Sequence, residues 1–158
     1  MIPLALDYAF ISFHRRGEGP AVFQAEDLFH QGRITLLPDN KGGRGVCFSP
    51  DIVNDRSIHG PFHRLSRGKY RATFWMGIDI DGESSAGTMI AEIRATRGLQ
   101  KEVLKIRRLR EKDWQNKRTI EPFSIIFELN RPSVVEFPVY YQGNGILWVD
   151  RIKVVRLG

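Results

Sequence analysis

The period-two alternation of apolar and polar residues constrains this chain more than any other feature. From Tyr70 to Ile78, Tyr70, Ala72, Phe74 and Met76 fall on one face and Arg71, Thr73 and Trp75 on the other, the pattern of a strand with one buried side. Ser133 to Tyr141 repeats it, with Val135, Phe137 and Val139 opposing Glu136 and Tyr140. Ile146 to Val155 alternates again and is rich in β-branched residues. Turn-forming clusters separate the runs at Asp39–Gly43, Ser66–Gly68, Asp81–Ser84, Asn130–Pro132 and Gln142–Gly145. Short strands divided by regular turns predict an all-β fold, an antiparallel sandwich or barrel. With 158 residues the chain is expected to form one domain over 1–158 around a single core.

Composition excludes several classes. A hydrophobic share of 42% beside 27% charged residues is that of a globular chain, not a disordered, collagenous or coiled-coil one. Cys47 is the only cysteine, so neither an internal disulfide nor a cysteine-based zinc site is available. Met1–Tyr8 lacks a basic leader region, and Asp7 interrupts its apolar stretch, so no signal peptide or membrane span is expected and a cytoplasmic location is the reading. The net charge of +6 is concentrated. Between Arg97 and Arg118 there are nine Lys or Arg (97, 101, 105, 107, 108, 110, 112, 117, 118) against three acids (102, 111, 113), and the rest of the chain balances. Such a segment is either a solvated face or a footprint for an acidic partner.

The same segment resists assignment by period. Leu99, Val103, Ile106 and Leu109 are spaced three or four apart, which favours an amphipathic helix over 99–112 with its Lys and Arg outward. As a strand, residues 102–109 must tolerate Arg108 among their apolar positions.

Catalytic signatures are weak. There is no Gly-x-Ser-x-Gly elbow, and Cys47 lies in Gly45–Phe48, which reads as a strand where a thiol is a small apolar filler. His14, His30, His59 and His63 lack zinc-protease spacing; His59 and His63 are four apart, but Gly60–Pro61 between them argues against a helix. Lys41–Gly45 holds a glycine pair without the third glycine or following helix of a phosphate loop, and Asp79–Glu83 begins like a calcium loop but reads as a hairpin turn.

Several segments, in chain order, resemble carbohydrate-binding modules of families 6 and 35 and related modules beside bacterial glycosyltransferases. Ala21–Leu28 is similar to their opening "E-A-E-D" strand, and Lys41–Val46 to the "G-G-x-x-V" strand that follows. His59–Phe62, Leu65 and Arg67–Phe74 resemble the "G-P-Y…L-P-x-G-x-Y-x-V-x-F" pair, and Tyr141–Ile152 resembles the closing "G-x-x-x-L-x-V-D-x-I" strand. The resemblance spans roughly residues 20 to 156 and implies a jelly-roll β-sandwich of the galactose-binding type with no active site of its own. It implies that residues 102–109 are extended. It also implies a structural calcium between the first and last strands; the matching side chains are Gln24, Glu26 and Asp150, with Gln24 departing from the usual glutamate.

Sugars are bound by stacking an apolar ring face on an aromatic while polar side chains take the hydroxyls. The candidates are Trp75 beside Arg71 on the polar face of their strand, Tyr140 and Glu136 on that of theirs, Asn144 in the closing turn, and Trp114, either a platform or a lid on the sandwich edge. Trp148 shares parity with Asp150 and Ile152, which places it in the core, and stands where the modules commonly carry a ligand-binding Asn. The reading is a non-catalytic module that binds a bacterial polysaccharide as part of a larger protein. The alternative is an interaction domain whose basic 97–118 segment docks an acidic protein, a phosphorylated glycan or nucleic acid; with Trp114 as its only aromatic, nucleic acid is the least expected of these. An enzyme acting on sugars is third, with Glu136 and Asp79 or Asp81 as its only carboxylates to suggest.

Overall fold

The structure, a computed structural model, describes residues 20–39, 41–81 and 87–158. Met1–Tyr8, His14, Asn40 and the Gly82–Ser84 part of one expected turn lie outside them. The chain forms β1 (Ala21–Gln24), β2 (Phe29–His30), β3 (Arg33–Leu36), β4 (Arg44–Phe48), β5 (Ser57–His59), β6 (Phe62–Leu65), β7 (Gly68–Asp79), β8 (Met89–Arg97), β9 (Glu102–Arg110), β10 (Glu121–Leu129), β11 (Ser133–Glu136), β12 (Val139–Tyr141) and β13 (Ile146–Arg156). Among the described residues the helical ones form two single 3-10 turns, Ala25–Asp27 and Glu111–Asp113.

The strands make two antiparallel sheets. In the first, β10, β7 and β13 lie side by side; the far edge of β13 is shared by β1 and β4, and β3 follows β4. In the second, β9 is the edge, β8 is next, and the far edge of β8 is shared by β11 and β12, which continue to β6 and to β5 and β2. The sheets face one another as a jelly-roll sandwich. Tyr70, Ala72, Phe74, Met76 and Ile78 of β7 are buried between them, as alternation requires, against Ile93, Val135, Phe137 and Val139 from the second sheet. Gly45 of the glycine pair serves packing: a methyl there would lie 2.5 Å from the Val149 carbonyl of β13.

Three details depart from the period reading. First, 99–112 is not a helix: Leu99 is 90% exposed and Glu102–Arg110 pairs with β8, because the three-four spacing marks no continuous buried stripe and the backbone of this edge finds its partners across the ladder. Leu104 is the extra residue of a bulge there, with Lys105 opposite Ala95 and Val103 opposite Thr96. Second, a bulge at Asp150 puts Val149 opposite Met76 but Arg151 opposite Trp75, so Trp148 and Ile152 face opposite ways. Ile152 is core; Trp148 is on the outer face yet only 7% exposed, beneath the chain that crosses at Gly77, where an added Cβ would meet the Thr119 carbonyl at 3.0 Å. Third, Phe137–Pro138 divides the Ser133–Tyr141 run into β11 and β12, and Glu136 is buried although its parity is polar.

Candidate functional site

Of the sugar residues expected from the sequence, only Arg71 and Trp75 share a face of one strand, and the others are dispersed. Arg71 and Trp75 point outward from the first sheet, Arg71 exposed and Trp75 half-buried between the cross-strand positions of Pro122 and Arg151. The Arg151 guanidinium lies 4.2 Å from the Trp75 ring centroid, so one face of the indole carries the protein's own cation. Tyr140 is on the outer face of the second sheet with Arg94 at 4.8 Å from its ring. Arg94 is ion-paired with Glu92, which also takes Arg108 at 3.3 Å. Trp148 is covered in the same manner by Arg118 at 5.3 Å. Trp75, Tyr140 and Trp148 are thus each paired with an arginine of the chain itself, while Phe29 of β2 is 67% exposed with the His59 ring beside it.

Glu136 is 3% exposed and accepts the Gly60 amide at 2.8 Å, with Lys101 at 3.8 Å. Its place is that of an anchor for the β5–β6 turn. Trp114 is 6% exposed, packs on Phe123 at 4.6 Å between centroids, and donates its indole N–H to the Met76 carbonyl at 2.9 Å. That is the lid position, not an open platform. Asn144 is exposed at the β12–β13 turn and donates Nδ2 to the Met89 carbonyl at 2.9 Å.

Glu26 and Asp150 come together. Burial, then neighbouring Asp27 and Asp150, holds the Glu26 carboxyl above its usual range, and burial does the same to Asp150 against the opposing effect of Arg151. Glu26 Oε2 is buried and accepts no hydrogen bond. A hard cation would satisfy that oxygen and offset the repulsion, so these two residues fit the calcium that the resemblance implies. Gln24 is exposed on β1, and among the described residues no group of three or more His, Cys, Asp or Glu is placed to hold a metal.

Ser57, His59 and Asp55 form a cluster whose residue types suggest a nucleophilic triad. Its geometry is not one: Ser57 Oγ at 2.9 Å and the Asp55 oxygens at 3.1 and 3.2 Å all meet the same ring nitrogen, Nε2, and Ser57 is buried. The ring cannot take a proton from the serine on one side while the carboxylate orients it from the other.

No pattern in the sequence points to a cavity of about 400 Å³ lined by Arg67, Arg97, Leu104, Glu128, Leu129 and Asn130. The Ser66–Gly68 and Asn130–Pro132 clusters signalled turns, and only the pairing of β7, β8, β9 and β10 brings them to one place. Met89 and Arg97 are the two ends of β8, roughly 26 Å apart at about 3.3 Å per residue, so this cavity and the Asn144 turn are at opposite ends of the sandwich.

No protein-family model matches the chain, and no curated protein matches it in sequence. Solved structures do match in fold. A family 6 module from Clostridium stercorarium in complex with cellobiose aligns with a TM-score of 0.59 and 15% identity, over 90% of this chain and 97% of that one. The C-terminal family 6 module of a marine laminarinase from Zobellia galactanivorans aligns at 0.58 and 14%, over 87% and 99%. A family 36 module of a multidomain xylanase from the hindgut metagenome of Trinervitermes trinervoides aligns at 0.54 and 13%, over 88% and 98%. The architecture that alternation, turn spacing and motif order pointed to is therefore that of known proteins: this chain has the jelly-roll β-sandwich fold of the family 6 and family 36 carbohydrate-binding modules.

Proposed function

We propose that the chain is a non-catalytic carbohydrate-binding domain that recognises a bacterial polysaccharide on behalf of a larger protein. One observation carries this reading: along nearly its whole length the sandwich superposes on modules whose own chains are covered at 97–99%, one of them in complex with cellobiose. The Ser57–His59–Asp55 cluster provides no activated nucleophile. Glu26 and Asp150 would hold a calcium ion, whose role is to tie the segment after β1 to β13. The test is retardation in native gels cast with a panel of bacterial capsular and extracellular polysaccharides, with laminarin, xylan, mannan and hydroxyethylcellulose alongside. Slowed migration in at least one polysaccharide, relative to a non-binding marker, is expected; equal mobility in all of them contradicts the reading.

A second reading rests on β9. Lys105, Arg107, Arg108 and Arg110 are exposed along this edge strand, a surface that suits an acidic partner. Much of its charge has internal work. Arg107 donates to the Ser124 carbonyl at 3.0 Å, Arg108 pairs with Glu92, and Arg110 donates to the Gly87 carbonyl at 2.8 Å. The sugar reading is the better supported of the two.

A further inference from the structure

The cavity at the Arg97 end of the sandwich has the composition of a polyol site. Its floor is aliphatic. Leu129 is buried at the end of β10, and the bulge in β9 makes Leu104 the unpaired residue of the ladder, a partly buried side chain packed against the core. Its wall is polar and held in place. Arg97, with 14% of its side chain exposed, gives Nε and Nη2 to the two Glu102 oxygens at 3.0 and 2.9 Å and Nη1 to Asn130 Oδ1 at 3.1 Å. Asn130 is oriented by that contact, and its amide nitrogen is the group with donors to spare. Arg67 and Glu128 add a guanidinium and a carboxylate to the lining. The Arg67 carbonyl is itself fixed by Arg156 at 2.9 Å.

The lining carries both signs of charge. Arg97 is paired with Glu102, and of the other lining residues Arg67 is a cation and Glu128 an anion, with Arg156 behind the Arg67 carbonyl, so the site is not a cluster of one sign although it lies beside the most basic segment of the chain. Donors and acceptors around an apolar floor suit a ring that presents hydroxyls at its rim and C–H groups on its face, and a volume of about 400 Å³ is in the range of small-ligand pockets. Of the outward aromatics, Trp75, Tyr140 and Trp148 are capped by Arg151, Arg94 and Arg118, and the exposed Phe29 has the His59 ring beside it. Resting on the sugar-binding reading above, we propose that this end cavity is the glycan site, and that it takes one terminal ring of a neutral glycan. The C–H face lies on Leu104 and Leu129, and the hydroxyls bond Asn130, Glu128 and Arg67.

The experiment is a titration of isotopically labelled whole protein with xylose, glucose, cellobiose and mannobiose, and with glucuronate as the charged control, followed by amide and methyl NMR. The Asn130 side-chain amide and the Leu104 and Leu129 methyls are expected to shift with a neutral sugar, saturably. Glu128→Ala and Asn130→Ala should each weaken that binding at least ten-fold while the spectrum elsewhere stays that of the folded protein. Shifts confined to the Asn144 turn, the Trp75 face or the Tyr140 face, with both variants binding normally, overturn this site and leave the sugar-binding reading intact. Preference for glucuronate overturns the neutral-ligand assignment. No shift with any sugar overturns the sugar-binding reading and this site with it.

Discussion

Tyr141 shows how one side chain ties strand to turn. It is buried, stacks on Phe48 at 5.5 Å between centroids, and donates its hydroxyl to the Gly145 carbonyl at 2.6 Å. Burial pushes the phenol up to about 12. A folded-state value above the unfolded one means that the stabilisation is complete below about pH 10 and is lost as pH rises from there towards 12. The phenolate absorbance should therefore include one late tyrosine, and Tyr141→Phe should remove both it and the steepest alkaline loss of stability, at a cost near 1 kcal/mol at neutral pH for the hydrogen bond. Trp75 makes a different prediction. With Arg151 stacked on a half-buried ring, Trp75→Ala should cost about 1–2 kcal/mol in denaturant, an exposed cation–π stack contributing about 0.5–1 of it, and should leave sugar affinity per folded molecule unchanged. At Glu26 the raised carboxyl costs stability above its own titration range and none when protonated, so in chelator Glu26→Gln should melt higher than the native protein at neutral pH, and the difference should fade on acidification. Added calcium should raise the melting temperature of the native protein and not that of the variant.

At the scale of elements, β9 carries the main lesson on what the sequence made legible. Its apolar residues sit three or four apart for reasons unrelated to a helix. Leu109 packs in the core, Leu104 occupies a bulge, and Val103 and Leu99 are exposed. A bulge inserts one residue and reverses parity beyond it, and no local pattern announces where that happens. The Asp150 bulge did the same to Trp148. By contrast, β7 is uninterrupted over twelve residues, and the alternation of Tyr70 to Ile78 matches its inner and outer faces. Candidate sites suffered more than strands because outward parity does not determine what covers a ring. Arg151, Arg94 and Arg118 each reach their aromatic from another strand or loop, and those meetings depend on register. The Lys and Arg of β9 have a further consequence, since an exposed sheet edge invites pairing with another chain and positive charge opposes it. Replacing Lys105 with Val and Arg107 with Val should leave circular dichroism unchanged and raise light scattering at concentrations where the native chain is monodisperse.

For the molecule as a whole, the fold and the function rest on different supports. Alternation and turns implied an all-β sandwich, motif order implied the jelly roll, and superposition on solved modules agrees with both. Sugar recognition requires, in addition, a surface with the right chemistry, and the charge of the chain is the chief rival explanation. The two make opposite claims about salt. An ion-paired docking surface loses its partner as the Debye length shrinks from about 10 Å at 0.1 M to about 3 Å at 1 M, whereas hydroxyl contacts around an apolar floor do not depend on it. The most direct measurement is a glycan array carrying both neutral and acidic oligosaccharides, probed with the full chain in about 0.1 M and about 1 M sodium chloride. The account predicts a sugar-specific set of signals on neutral glycans that persists at the higher salt; signals restricted to acidic glycans and abolished by salt would contradict it.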